Sequence, residues 1–424
     1  MNIVMFTNAY EPVIGGLEQS VTTFAEDFQA EGHRVLIVTL AFPGAEKSDE
    51  TVFRLPAIKE VAGTEFSIRL PVPAGLKERL DAFEPDIVHS HHPFMVGDTA
   101  LRVARRRGLP LVFTHHTLYE RYAYLFSRES EGLKRIAAVI ATQYANLCDL
   151  IISPTDSIKR MIRERGVRVP VEVIPTGIDV DFYAGGKRSE FRRKHKIPRK
   201  AFVLGYLGRV VEAKNMAFVT QAAVRVLTDC PDCWFLIAGE GDAADEVQRK
   251  VRKAGVADRV VMTGSLQGRA VADAYAAMDL FVFASKTETQ GIVLCESLSA
   301  GVPVIALNAR GTRDILLNGK TGSVLDGEAS PDEFSAAIRH VKETPGLLSS
   351  LCTQSRRHAC TFDRKRCAAK LLSVYRNLRE CPSDTRPDDT DFWPSVQERF
   401  SAEWDLFKEK LAAFSAVAGG EGHP

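Results

Sequence analysis

No apolar run in these 424 residues approaches the length of a membrane span, so a transmembrane protein is not expected. A signal peptide is not expected either, because Met1 leads straight into the strand-like run Asn2–Thr7. An excess of one charge is also lacking. Lys and Arg number 55 against 54 Asp and Glu, and a net charge of +1 gives no global footprint for nucleic acid. The eight cysteines are scattered, several in apolar runs, which suits reduced thiols in a cytoplasmic protein. The lone C-x-x-C, Cys230-Pro-Asp-Cys233, has no second pair to complete a metal or redox motif. No G-x-G-x-x-G follows the first strand, so the dinucleotide fingerprint is absent too. What remains is a globular composition, 45% apolar and 26% charged, on a chain too long for one ordinary core. Two domains are expected.

The most informative stretch is residues 280–307, which reads as strand, loop, helix, strand. Leu280–Ala284 is a short apolar strand, and Ile292–Ala300 a short helix with Gly301 just past its end. The polar turn Lys286–Gly291 lies between them, so Thr289, Gln290, Gly291 and Ile292 lead into the helix. A helix N-terminus offers unpaired N–H groups and partial positive charge, which favour a phosphate. Glu288 and Glu296 flank that end, one before the helix and one a turn inside it. Carboxylates beside an anion site make sense where they face neutral hydroxyls. A ligand with phosphate in its middle and hydroxyls at both ends, such as a sugar nucleotide, meets both demands. An ordinary strand–helix unit with two surface glutamates gives the same spacing.

Earlier in the chain, Gly15-Gly16 at a strand-to-helix turn lets backbone approach a ligand, and a plain glycine turn reads alike. Residues 41–85 read as irregular, with Phe66, Ile68 and Leu70 able to line an apolar binding site or one face of a strand. Two strands end in HSHHP and THHTLYERY, placing His89, His91, His92, His115 and His116 near the ligand edge of a parallel sheet. No Asp or Cys companion stands at ligand spacing, so hydrogen bonding is favoured over a metal site. Basic clusters at Arg105–Arg107, 158–168 and 187–200 are solvated helix faces or a local contact with an anionic membrane. Pro175–Asp179 reads as a hinge. Asp179-Val-Asp181 within it is discounted as a metal motif. Beyond it Phe202–Gly208 starts a second domain, and Arg209 and Lys214 follow that strand's end, able to converge on one diphosphate.

The pattern E-x7-E followed by GVPVIA resembles the donor site of glycosyltransferase family 4, whose members are retaining enzymes of the GT-B fold. That resemblance runs from the first strand to about residue 380 and implies two facing Rossmann-like α/β domains. It divides the chain into 1–174 on the acceptor side, 175–364 binding the sugar nucleotide, a helix over 365–381 crossing back, and 382–424 as linker and tail. It implies that Glu288 faces the transferred sugar, Glu296 holds the ribose, and Gly15 and Gly16 approach the diphosphate. Arg209 and Lys214 match a GR-x4-K pattern, with Asn215 where Gly is frequent. Gly239 and Gly241, in GEGD, resemble turns around the base. The histidine before Thr117 resembles one that meets the donor sugar, which selects His116. TETQG and THHTLYERY are closest to the glycolipid-forming branch that includes diacylglycerol glucosyltransferases. The implied reaction moves a hexose from a UDP-type sugar nucleotide to a lipid or glycan hydroxyl, without metal or other cofactor. It would run in the cytoplasm or at the inner membrane face. An epimerase or phosphorylase on the same fold, or a non-catalytic sugar-nucleotide binder, are the alternatives.

Past the resemblance, residues 382–394 are a Pro- and Asp-rich linker. Val396, Phe400, Trp404, Phe407, Leu411 and Phe414 then recur at steps of three and four, predicting an amphipathic helix over 395–417. Its polar face mixes both signs, unlike a basic membrane-binding face. It is expected to dock on the protein's own surface or on a second subunit. Deleting residues 386–424 should lower Tm or promote aggregation while donor chemistry persists, read by thermal scanning, light scattering and turnover; unchanged stability, solubility and oligomeric state would refute docking.

Overall fold

The computed structural model describes residues 1–11, 15–41, 45, 47–55, 74–119 and 131–380. Short runs of β-branched and apolar residues, buried on both faces, form parallel strands, as such runs do when helices cover both sides of a sheet. The first sheet contains β1 (Asn2–Phe6), β2 (Arg34–Leu40), β3 (Val52–Leu55), β4 (Ile87–Ser90), β5 (Leu111–Thr114), β6 (Leu150–Ser153) and β7 (Val171–Val173). Its order is β3-β2-β1-β4-β5-β6-β7. The second contains β8 (Phe202–Leu207), β9 (Cys233–Ala238), β10 (Val260–Met262), β11 (Leu280–Phe283), β12 (Val304–Leu307) and β13 (Gly322–Leu325). Its order is β10-β9-β8-β11-β12-β13.

Both orders reverse direction beside the domain's first strand, at β1/β4 and at β8/β11. Such reversals open a crevice at the carboxyl ends of the strands, where doubly wound α/β sheets bind ligands. Each sheet has its own core. Ile174 packs with the first, among Met5, Ile37 and Ile152, and Ile178 with the second, among Leu236, Phe281 and Phe283. The hinge therefore spans Pro175–Gly177. Helix Arg364–Glu380 returns to the first domain, burying Cys367, Leu371, Leu372 and Tyr375 against Phe24 and Phe28. Asp179, discounted as a metal ligand, instead caps the short helix Val180–Ala184 by accepting from the Phe182 N–H at 2.8 Å.

Residues 41–85 are less irregular than expected. They contain β3 and a helix over Ala74–Phe83. The strand escapes a pattern reading because it is four residues long and sits at the sheet edge. The helix escapes because prolines precede it, although Leu76, Leu80 and Phe83 are buried at helical spacing. Phe66, Ile68, Leu70, Glu120 and the expected tail helix lie outside the described residues.

Candidate active site

The carboxyl ends of the two sheets meet across a gap. From the first domain come Gly15 and Gly16, opening helix Gly16–Ala30, and the residues after β4 and β5, His91, His92, His115 and His116. The other side carries Arg209 and Lys214 after β8, Gly239–Gly241 after β9, and Ser285–Gly291 between β11 and helix Ile292–Ser299. Hydrogen bonds cross directly between the edges. Thr289 Oγ1 donates to the His116 carbonyl at 2.7 Å, and Thr155 Oγ1 donates to the Thr289 carbonyl at 3.0 Å. Ser157 N–H reaches Asp314 at 3.0 Å, and its hydroxyl accepts from Gly311 N–H at 3.1 Å. A Cβ on Gly16 would stand 3.5 Å from Ile292 Cδ1, so the first helix approaches helix Ile292–Ser299 closely.

Lys214 and Glu288 form an ion pair with most of both side chains buried. Asn215 ends the short helical turn Glu212–Lys214 that carries that lysine. It sits at φ 58°, a left-handed conformation that Gly or Asn adopts readily, and its side chain donates to the Ala284 carbonyl at 3.3 Å. Arg209 is exposed, and its charge acts on Glu18 of the facing domain, whose carboxyl is pushed up chiefly by burial. Gly239 and Gly241 have φ of 146° and 156°, and a side chain on either would run into backbone of Gly208 or Val210. Glycine at both lets the loops after β8 and β9 lie against each other, with Val210 N–H bonded to the Glu240 carbonyl at 2.8 Å.

Glu296 and Gln290 are more enclosed than their spacing suggests. Glu296 is buried, and its two oxygens accept from Tyr183 and Tyr275 hydroxyls, each at 2.8 Å, with Gln19 Nε2 at 3.4 Å. Burial pushes its carboxyl up, against the pull of those three donors. Gln290 is buried too, and its amide pairs with the hinge like a strand neighbour. Its Oε1 accepts from Thr176 N–H at 2.8 Å and its Nε2 donates to the Thr176 carbonyl at 2.9 Å.

Comparison with known proteins gives this arrangement a family. The Glycosyltransferase Family 4 model matches residues 14–182, and the Glycosyl transferases group 1 model matches residues 187–358. The chain belongs to glycosyltransferase family 4. An alpha-monoglucosyldiacylglycerol synthase of Acholeplasma laidlawii is 27% identical over 89% of this chain and 97% of the relative. A GDP-mannose-dependent alpha-mannosyltransferase of Mycolicibacterium smegmatis is 27% identical over 80% of this chain and 88% of its own length. Among solved structures, Anabaena HepE in complex with UDP superposes with a TM-score of 0.71 at 18% identity, covering 89% of this chain and all of that one. The fold of this glycosyltransferase is GT-B, with two Rossmann-like domains facing each other.

Several residues that shape the site gave little signal in the sequence. Tyr183 and Tyr275 read as core aromatics, and only Glu296 between them discloses a polar role. Thr176 and Ser20 bond through their hydroxyls at 2.8 Å, tying the hinge to the first helix. Among the described residues no group of three or more His, Cys, Asp or Glu is placed to hold a metal ion, and no helix is long and apolar enough to cross a membrane.

Burial also lowers the pKa of four histidines in the glycosyltransferase: His89 to about 3, His92 to about 4, His91 and His116 well below the usual value. The unfolded chain takes up protons on these rings near pH 6.5, whereas the folded chain does not. Below that pH the unfolded state binds more protons, so stability falls as pH drops from about 6.5 toward 4. Glu18, Asp27 and Glu296, raised by burial, oppose that trend over their own range. Thermal scans should give a Tm that declines from pH 7 to pH 5, with a shallower slope in His89→Gln than in the native protein.

Proposed function

We propose that this glycosyltransferase moves a hexose from a UDP-type sugar nucleotide to a hydroxyl of a lipid or lipid-linked acceptor, with retention of anomeric configuration. The observation that carries the reading is the donor loop. Glu288 lies at the carboxyl edge of β11 with Lys214 paired to it, and Thr289 beside it bonds to the His116 backbone across the gap. A donor in that gap would have its sugar between Glu288 and His116. Its diphosphate would lie against Arg209, Lys214 and the helix N-terminus at Ile292, with Gly15 and Gly16 approaching from the other side. The base would meet the Gly239–Gly241 turn. Glu296 would reach the ribose by sharing oxygens already held by the two tyrosines, or by releasing Gln19.

In the transfer, the bond from C1 to the diphosphate oxygen breaks and the acceptor oxygen bonds to C1 on the same face. The acceptor proton passes to the departing phosphate oxygen. No protein nucleophile is needed, and Arg209, Lys214 and the helix N–H groups neutralise charge as it builds on the leaving group. On donor binding Lys214 turns from Glu288 toward phosphate, which frees Glu288 for sugar hydroxyls. The acceptor class rests on the glucosyldiacylglycerol named in the Acholeplasma relative, and uridine on the UDP in HepE. The mycobacterial relative, named for GDP-mannose, makes the base the first thing to test. Exposed Arg160, Arg163 and Arg168, on and just after helix Asp156–Glu164, would serve local contact with an anionic membrane.

The test is a panel of UDP- and GDP-sugars with diacylglycerol or lipid extract as acceptor. Nucleoside diphosphate should be released only when an acceptor is supplied; interconversion of the sugar without release would favour an epimerase. Glu288→Ala or Arg209→Ala should lose about a hundredfold in turnover, roughly 3 kcal/mol of transition-state stabilisation, with the fold intact by circular dichroism. His116→Ala should be severely impaired and His115→Ala less so.

With two cations and a helix end on the diphosphate, turnover should survive a chelator. Complete loss in EDTA, restored by magnesium or manganese, would overturn that expectation.

A further inference from the structure

Behind the donor edge of the first sheet, three imidazoles stand in line from the core to the gap. His89, wholly buried in β4, is bonded at both nitrogens, to the Tyr375 hydroxyl at Nδ1 (2.5 Å) and the Thr114 hydroxyl at Nε2 (2.7 Å). Tyr375 belongs to helix Arg364–Glu380 and is itself fully buried. Its hydroxyl hydrogen has no other acceptor among the described residues, so it goes to Nδ1, and His89 keeps its own hydrogen on Nε2. The next ring, His91, packs against His89 with centroids 4.1 Å apart. His91 Nδ1 then lies 2.8 Å from His116 Nε2, with the two rings stacked.

One hydrogen is shared in that last contact, because burial keeps both rings neutral. Its direction can be worked out from the far side of His91. His91 is fully buried, and its Nε2 has no hydrogen-bond partner among the described residues. If His116 donated from Nε2, His91 would carry its hydrogen on Nε2, an N–H buried without an acceptor. If His91 donates from Nδ1, its Nε2 is a bare lone pair. Orphaned buried N–H groups are rarer in folded proteins than under-used acceptors, so the second arrangement is favoured. It leaves His116, which is only half-buried, with its hydrogen on Nδ1.

We propose that His91 is a positioning residue that fixes the tautomer of His116, so that His116 offers an Nδ1–H to a hydroxyl or phosphate oxygen of the donor. This rests on the donor placement proposed above. The bond at one imidazole nitrogen dictates what the other can do. A ring presented this way donates without carrying charge, so it holds a neutral sugar hydroxyl at the pH where the enzyme works. Tyr375 of the crossover helix holds His89, and His89 packs against His91, so that helix supports the site through His89.

The tautomer is read directly in the native, full-length protein labelled with 15N-histidine, from two-bond nitrogen–proton correlations near pH 7. His116 with its hydrogen on Nδ1 supports the proposal; His116 with it on Nε2, or doubly protonated, overturns it, and neither result depends on activity. Variants test the consequence. His91→Ala should lose about tenfold in kcat, the equivalent of one neutral hydrogen bond, with UDP affinity unchanged. His91→Asn places an amide N–H near the former Nδ1 and should recover most of that loss. His91→Asp offers only acceptors, should shift the His116 hydrogen to Nε2 and should not recover it. Equal turnover in all three, at native UDP affinity and Tm, would overturn the role of His91. Full transfer by His116→Ala would instead overturn the donor placement, while the spectrum decides the tautomer by itself.

Discussion

The chain passes between its two domains twice, and the two passages are bonded to each other. Ile178 N–H donates to the Phe362 carbonyl and Arg364 N–H to the Ile178 carbonyl, both at 2.9 Å. Gly177 lies so close to Arg364 Cα that any side chain there would collide with the second passage. Arg364 then reaches the first helix, pairing with Asp27 at 2.7 Å and Glu26 at 2.8 Å. A double strap at one place restricts how the domains can move, and it directs the carboxyl edges of both sheets toward each other. Gln290 extends the strap into the loop before helix Ile292–Ser299, because its amide bonds to Thr176 in the first passage. Movement at the hinge is therefore felt two residues from Glu288. A ligand that binds both edges would in turn bias the hinge, and this reciprocity is the usual physical basis of domain closure around a substrate.

Among the described residues most polar groups buried near that strap are paired, although one Asp27 carboxylate oxygen is not. Unpaired, each would cost roughly 1–3 kcal/mol or more when charged. Glu296 has two phenols and an amide, and Lys214 and Glu288 have each other. These partnerships differ in kind. The tyrosines come from the same domain as Glu296 and would stay with it through any hinge motion. The Lys214–Glu288 pair joins two loops that both line the gap, so an incoming diphosphate can compete for the lysine.

Much of this was legible in the sequence where a motif is local. The strand–turn–helix at 280–307 reads directly because a short apolar run, a polar turn and a small-residue helix follow one another with glycine at each end. Helix Arg364–Glu380 is visible by its period, and its return to the first domain follows from the family's pattern. Gln290 illustrates the limit. Its position in the donor turn suggests a ligand contact, whereas its amide is spent on the hinge backbone 114 residues earlier. Nothing in the local sequence encodes a contact of that separation. The same holds for Tyr183 and Tyr275, whose hydroxyls acquire meaning only once tertiary packing brings Glu296 between them. The edge strand β3 was missed for another reason: four residues are too few for a period to declare itself.

The two edges of the gap are chemically unlike. The second domain contributes positive charge, through Arg209, Lys214 and a helix N-terminus, and one carboxylate, Glu288, paired to Lys214. The first contributes neutral imidazoles whose charged forms are suppressed by burial, together with glycine backbone. A sugar nucleotide is divided in the same way, with an anionic diphosphate attached to an uncharged sugar. The cations and the helix N-terminus grip phosphate strongly because the attraction acts in a partly desolvated gap. An uncompensated charge resists desolvation, so a carboxylate on the sugar's side, Glu288 in the proposed placement, needs sugar hydroxyls to replace Lys214 as its partners. Neutral histidines avoid that cost and still direct a hydrogen bond. In the proposed donor placement, the division between the sheets follows the division within the ligand, and the bond that must break, between sugar and phosphate, falls at the seam between the domains.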